Sequence, residues 1–201
     1  MDYYKKKLFI PQINKNDGLI GKIERWQAHR QAILHRGFTT IIKSGDKIIL
    51  QKRKHPVFDG VYDLSFSSHP VFIQNQLQTM EEAVLKTFQR EWLVGRNAEI
   101  KIKFLDKYYY RAADKKSGYF EHEINYLYLI DFSGEISDNP QFSYQMKIIT
   151  IKDFFSKFNK INLAPWVKKH YLNFLGYPPA KQKPTNMGKP SHSALIDVKS
   201  H

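Results

Sequence analysis

Three histidines and a set of carboxylates carry the chemistry that this sequence could perform. His29 and His35 stand in AHRQAILHRGF (28–38), His69 closes GVYDLSFSSHP (60–70), and Glu121 and Glu123 flank His122 in GYFEHEINYLYL (118–129). On a strand, Glu121 and Glu123 project from one face and His122 from the other. Neighbouring carboxylates repel, and a divalent cation is the usual remedy. A solvent-facing pair accounts for them equally well, and no single histidine is distinctive alone.

Glu91 is the other conspicuous acid. TMEEAVLKTFQREWLVG (79–95) reads as a helix, with a capping-box pattern at Thr79 and Glu82 and Gly95 to end it. At ~100° per residue, Val84, Phe88 and Glu91 fall on one face, with Leu85 and Trp92 alongside. A carboxylate in an apolar stripe is costly unless paired or metal-bound. Arg90 is not expected to neutralise it, because adjacent helical residues point in different directions. The ordinary alternative is a Glu91 that reaches water from the edge of the stripe.

These residues need elements to bring them together, and the pattern of elements is α+β. Strands are expected at 18–25, 37–44 and 45–53, the last two forming a hairpin through a Gly-Asp turn. A short strand at 61–67 and longer ones at 99–111, 119–132 and 145–151 complete the set. Two closing helices are expected at 152–159 and 163–175, with Pro165 near the start of the second and Gly176 just after its end. Residues 1–176 then form one domain. From Tyr177 the chain turns to Pro, Lys, Ser and Asn and reads as a basic, disordered tail.

Composition narrows the classes. The 201 residues are 42% hydrophobic and 14% aromatic, enough for one domain with a real core. There is no cysteine, hence no disulfide, thiolate zinc site or cysteine nucleophile. No run approaches transmembrane length and the first residues lack a signal-peptide core, so a soluble, cytoplasmic setting is expected. The net charge of +13 invites a nucleic-acid reading. Lys181, Lys183, Lys189 and Lys199 against Asp197 place +3 of it in the tail, and the rest is spread along the chain. With no finger spacing or aromatic RNA-binding strand, solvated lysine surface or a field for a small anionic substrate is preferred.

The succession IGKIERWQAH…LHRGF, LQKR, GVYDLSFSSHP, EEAVLKTFQREW, YYRAADKKSGYFEHE, over roughly residues 15–135, resembles the type I isopentenyl-diphosphate isomerases of the Nudix superfamily. The resemblance implies a Nudix fold, a mixed sheet flanked by helices, and a divalent metal held by His29, His35, His69, Glu121 and Glu123. The tightly held ion would be Mn²⁺ or Zn²⁺. It further implies that Glu91 helps to hold Mg²⁺ against the substrate diphosphate. Arg25 and Arg53 would contact that diphosphate, with Lys52, Lys54 and Lys86 as looser candidates. Glu123 would double as the proton-transferring acid beside Tyr110.

The departures from that family are specific. Five residues, not six, separate His29 from His35, and Ser67 stands where the family has its catalytic cysteine. A hydroxyl is a far poorer acid or base than a thiol of pKa ~8.5. Tyr62, Asp63 and Leu64 replace its Trp-Thr-Asn element, and Gln76, Val94 and Gly95 replace key residues of the Nudix signature. The expected activity is isomerisation of a small prenyl diphosphate through a carbocation walled by Tyr62, Phe66, Tyr110 and Phe120. The alternatives are hydration or cyclisation of such a cation, Nudix-type diphosphate hydrolysis, or a non-catalytic binding protein.

Overall fold

A computed structural model describes residues 2–170. The elements are β1 (Phe9–Ile13), β2 (Leu19–Glu24), α1 (Arg25–Arg30), β3 (His35–Ser44), β4 (Lys47–Arg53), β5 (Tyr62–Asp63) and β6 (Phe66–Ser68). There follow β7 (Phe72–Ile73), β8 (Gln76–Leu77), α2 (Met80–Glu91), β9 (Trp92–Val94), β10 (Glu99–Ala113) and β11 (Phe120–Ser133). β12 (Ile136–Asp138), β13 (Ser143–Thr150), α3 (Ile151–Lys157) and α4 (Pro165–His170) complete the set.

The central sheet is mixed. β10 pairs antiparallel with β11, and β11 pairs parallel with β3. The far edge of β3 is shared in succession by β1 at His35, β6 at Phe38–Thr40 and β4 at Ile42–Ser44. The β3–β4 hairpin turns at Gly45 and Asp46, where Gly45 takes the positive φ of 59° that such a turn demands. Side chains alternate along β3, so its two faces build two cores. Phe38 and Ile42 pack with Val84 and Phe88 of α2, while Ile41 joins Leu127, Phe154 and Trp166 beneath α3 and α4. Truncating the fully buried Phe88 to Ala would cost about 3–5 kcal/mol. The expected mixed sheet flanked by helices is what the chain forms.

Several boundaries differ from expectation. The capping box at Thr79 and Glu82 is present, but α2 stops at Glu91 instead of running to Gly95. Trp92–Val94 is extended and pairs with β12, which supplies ladder bonds that a continued helix would forgo. The strand expected at 61–67 is broken into β5 and β6. At the break, Ser65 Oγ accepts from Ile42 N–H and donates to the Ile49 carbonyl, so a side chain replaces ladder bonds. β1 and α1 were not foreseen: Arg25 ends no strand but opens a helix capped by the Glu24 carboxylate. The first closing helix shortens to α3 with a 3-10 turn after it, and the second is described only to His170. Gly176 and the tail from Tyr177 lie outside the described residues.

Candidate metal centre

The site is a row across the sheet. Tyr110 of β10, Glu123 of β11 and His35 of β3 are direct register partners. Register partners present side chains to the same face, so strand pairing alone brings an aromatic hydroxyl, a carboxylate and an imidazole together. Two residues along β11, Glu121 emerges on that face. α1 contributes His29, and the chain leaving β6 contributes His69.

The three imidazoles form a nearly equilateral triangle. Ring centroids are 4.9 Å apart for His29 and His35, 5.1 Å for His29 and His69, and 5.0 Å for His35 and His69. His29 Nδ1 is held by the Arg25 carbonyl and His35 Nδ1 by the Ile33 carbonyl, each at 2.7 Å, which turns both Nε2 atoms inward. Glu121 Oε2 lies 3.3 Å from His29 Nε2; Glu123 Oε1 lies 3.4 Å from His35 Nε2 and 2.9 Å from His69 Nε2. Asn125 Nδ2 donates to the other oxygen of Glu123, and Tyr108 in turn donates to Asn125. Gly37 makes room, since a Cβ there would land on the Glu123 carboxylate.

The electrostatics suit a cation. Burial opposes charge on His69 and pushes its pKa down to about 3. Burial also opposes an ionised Glu123, yet the nearby His35 and the hydrogen bond with His69 outweigh it and hold the carboxyl well below the usual range. For His29, burial is outweighed by the Glu121 carboxylate, which raises the imidazole pKa. Among the described residues, His29 Nε2, His35 Nε2 and Glu121 Oε2 are buried without a hydrogen-bond partner. Imidazole nitrogens and carboxylate oxygens left without partners are of the types that hold a divalent metal ion. Ligand atoms of His29, His35, His69 and Glu121 all lie within 4.8 Å of one another.

The other candidates fall differently. Ser67, Tyr110 and Glu123 line one cavity of about 10 Å³ with Trp166, His55 and His69, room for about one water. Glu91 and Glu123 are not among the four residues whose ligand atoms cluster; Glu123 meets them through His35 and His69. The expectation that Arg90 leaves it unpaired is overturned: Arg90 donates to Glu91 Oε1 at 2.8 Å, and Gln51 Nε2 approaches Oε2 at 3.3 Å. Glu91 is the last helical residue, so its neighbourhood no longer obeys helical directions, and the long Arg90 side chain curls back. Arg90 also reaches Ser68 Oγ at 3.5 Å, which places this pair beside β6.

Arg25 is buried, its guanidinium within 3.2–3.4 Å of the carbonyls of Tyr3, Tyr4 and Lys6. Arg53 is buried against Asp63 at 2.9 Å and lies over the Trp166 ring. Lys54 is exposed and bonds the Pro140 carbonyl, Lys86 is exposed on α2, and Lys52 is half-buried. Sequence reasoning gave no role to Thr39, Trp166 or Arg90. It noted Asp63 only as a replacement, and the break between β5 and β6 leaves its spacing from Ser67 without a regular period to read.

Comparison with models of known protein families finds no match. Among curated proteins, the chain is 25% identical to isopentenyl-diphosphate Delta-isomerase I, chloroplastic, of Arabidopsis thaliana, over 87% of this chain and 69% of that protein. It is 26% identical to isopentenyl-diphosphate Delta-isomerase I of Camptotheca acuminata, over 87% of this chain and 86% of that one. A Serratia proteamaculans isopentenyl-diphosphate Delta-isomerase is 26% identical over 64% of this chain and 69% of its own. Of solved structures, DR0079 from Deinococcus radiodurans superposes with a TM-score of 0.57 and 13% identity, over 79% of this chain and 94% of that one. Tm1382, provisionally a Nudix hydrolase, gives 0.50 and 17%, over 87% and 91%. The fold is a Nudix fold, and the sequence similarity supports kinship with the isomerases.

Proposed function

We propose that this chain is a divalent-metal-dependent enzyme that interconverts isopentenyl and dimethylallyl diphosphate by protonation and deprotonation. The observation that carries the reading is the register row Tyr110–Glu123–His35, which sets a carboxyl and a phenol against the histidine cluster in the cavity that also exposes Ser67. A divalent ion, Mn²⁺ or Zn²⁺ on His29, His35, His69, Glu121 and Glu123 with Mg²⁺ near Glu91, would supply charge that fixes these carboxyls and anchors a diphosphate.

Each side chain then has a task. Glu123, ionised at rest, first takes up a proton and then delivers it to the terminal alkene carbon, with Tyr110 alongside to orient its carboxyl. The tertiary cation that forms needs aromatic walls and exclusion of water. Trp166 and Tyr110 line the cavity. Ser67, which lines the same cavity, receives the proton lost from the neighbouring carbon. Arg53 lines the cavity as a cation for the diphosphate, and Arg90 and Arg25 would join it once their contacts with the Tyr3 ring give way. Substrate must move covering groups, because a volume of about 10 Å³ does not admit it.

Hydrolysis of another diphosphate is the less favoured reading. Val94 and Gly95 sit where the Nudix signature has its final acids, and they lie in or after β9, beyond the end of α2. The test is an incubation of the full chain with Mg²⁺ and Mn²⁺ and isopentenyl diphosphate in D₂O, with NMR of the organic product and an assay for phosphate. Deuterated dimethylallyl diphosphate that disappears in Glu123→Gln supports the isomerase. Phosphate released with no deuterium in any product overturns it.

A further inference from the structure

Ser67 does not stand alone. Its hydroxyl donates to Asp63 Oδ2 at 2.7 Å, and its oxygen lies 2.8 Å from Thr39 Oγ1. Asp63 is 0% exposed and accepts three further hydrogen bonds: from Arg53 Nη1 on Oδ2, and from Leu64 N–H and Trp166 Nε1 on Oδ1. Four donors on one buried carboxylate fix it as an acceptor and set its orientation.

The hydrogen-bond arithmetic gives Ser67 a direction. A hydroxyl has one hydrogen and two lone pairs. The hydrogen is committed to Asp63, so the Thr39 hydroxyl donates into one lone pair. The second lone pair is left for the cavity that Ser67 shares with Glu123 and Tyr110. The oxygen is thus presented there as a proton acceptor.

We propose that Asp63 is the positioning residue that makes Ser67 the base of this site, drawing off the Ser67 proton as the serine oxygen takes one from substrate. The inference rests on the isomerase reading above. In the step, the C2–H bond of the cation breaks and its electron pair becomes the new C2–C3 double bond. The released proton bonds to Ser67 Oγ while the serine's own proton passes to Asp63 Oδ2. Ser67 ends as a hydroxyl and Asp63 as a neutral acid, which returns its proton along the same path in the reverse reaction or to water. A carboxylate paired with Arg53 suffices, because a tertiary carbocation is a very strong acid. The structure therefore answers the absence of a thiol with a two-residue device.

The test compares Asp63→Asn and the charge-preserving Asp63→Glu in two backgrounds, the natural chain and Ser67→Cys, with Ser67→Ala alongside. Turnover and KM for isopentenyl diphosphate are measured with Mg²⁺ and Mn²⁺ in D₂O. Melting temperature and calorimetric binding of dimethylallyl diphosphate are measured in parallel. In the natural chain, Asp63→Asn, Asp63→Glu and Ser67→Ala are each expected to lower kcat about 100-fold, with KM and product binding within about threefold. In the Ser67→Cys background the Asp63 changes should cost less than about tenfold, because a thiol loses its proton without help. Equal losses in both backgrounds would make Asp63 a purely structural group and overturn the proposal. So would a Ser67→Ala protein with undiminished kcat, a variant that leaves the Asp63–Arg53 pair intact. If the natural chain itself yields no deuterated dimethylallyl diphosphate, the isomerase reading fails first and the inference falls with it.

Discussion

His29 Nε2 and Glu121 Oε2 lie 3.3 Å apart in the protein interior, and neither atom has a hydrogen-bond partner among the described residues. They come from a helix and a strand 92 positions apart in the chain, so their proximity is a product of the fold. The pair attracts when His29 is protonated, but a cation between the two atoms would satisfy both nitrogen and oxygen directly.

A divalent ion should therefore stabilise the protein strongly. At 100 times its dissociation constant, a ligand that binds only the folded state adds about 2.7 kcal/mol. Melting scans with and without Mn²⁺ or Zn²⁺ are expected to show a rise of several degrees, nearly abolished in Glu121→Gln. An equal rise in both proteins would place the ion elsewhere.

Gly37 is expected to be intolerant of a single methyl. An alanine Cβ would occupy the position of the Glu123 carboxylate, and the carboxylate would have to leave its contact with His69. Gly37→Ala should weaken metal binding about tenfold or more, ~1.4 kcal/mol, by calorimetry. Its circular dichroism should be unchanged. Unaltered affinity would mean that Glu123 is not a ligand.

Arg25 ties the N-terminus to the site's flank. Its guanidinium meets three backbone carbonyls and stacks near the Tyr3 and Trp26 rings at 4.9 and 4.2 Å. Arg25→Ala should release residues 2–7 and make the bonds after Lys5, Lys6 and Lys7 markedly more sensitive to trypsin. Cleavage at the natural rate would show that this anchor is dispensable.

Asp17 gives a pH signature of its own. It sits at φ 65°, and Tyr126, Lys107 and Arg36 all donate to its side chain. Burial favours its neutral form, but the three hydrogen bonds outweigh this and lower its pKa. With a depressed folded pKa, its stabilisation is fully present above the unfolded value of ~3.9 and is lost as pH falls through the folded one. Asp17→Asn, which tolerates the same backbone, should be less stable by about 1–2 kcal/mol at pH 7. Urea melts should show the gap closing below about pH 4. A gap independent of pH would assign the loss to geometry instead of charge.

Local signals in the sequence were read correctly where the physics is local. The capping box needs only Thr79 and Glu82 three residues apart, and the hairpin turn needs only a glycine at Gly45. The alternation at Glu121 and Glu123 follows from the period of a strand, and both are buried on one face. The helix end was misplaced because the partner that claims Trp92–Val94 is β12, some 40 residues later. Nothing near Gly95 announces that competitor.

The sequence by itself determined the inventory: the three histidines of the site among eight in the chain, spaced carboxylates, no thiol, and the periodicities that make strands and helices of their flanks. Only the tertiary structure decided the geometry. The parallel register of β3 and β11 sets His35 beside Glu123, and chain-distant packing closes His29 on Glu121. It also decided the pairings that sequence geometry argued against or left blank, Arg90 with Glu91 and Asp63 with Ser67. Register and side-chain pairing depend on which strands lie next to each other in space. That is a property of the whole buried core, and no window of sequence contains it.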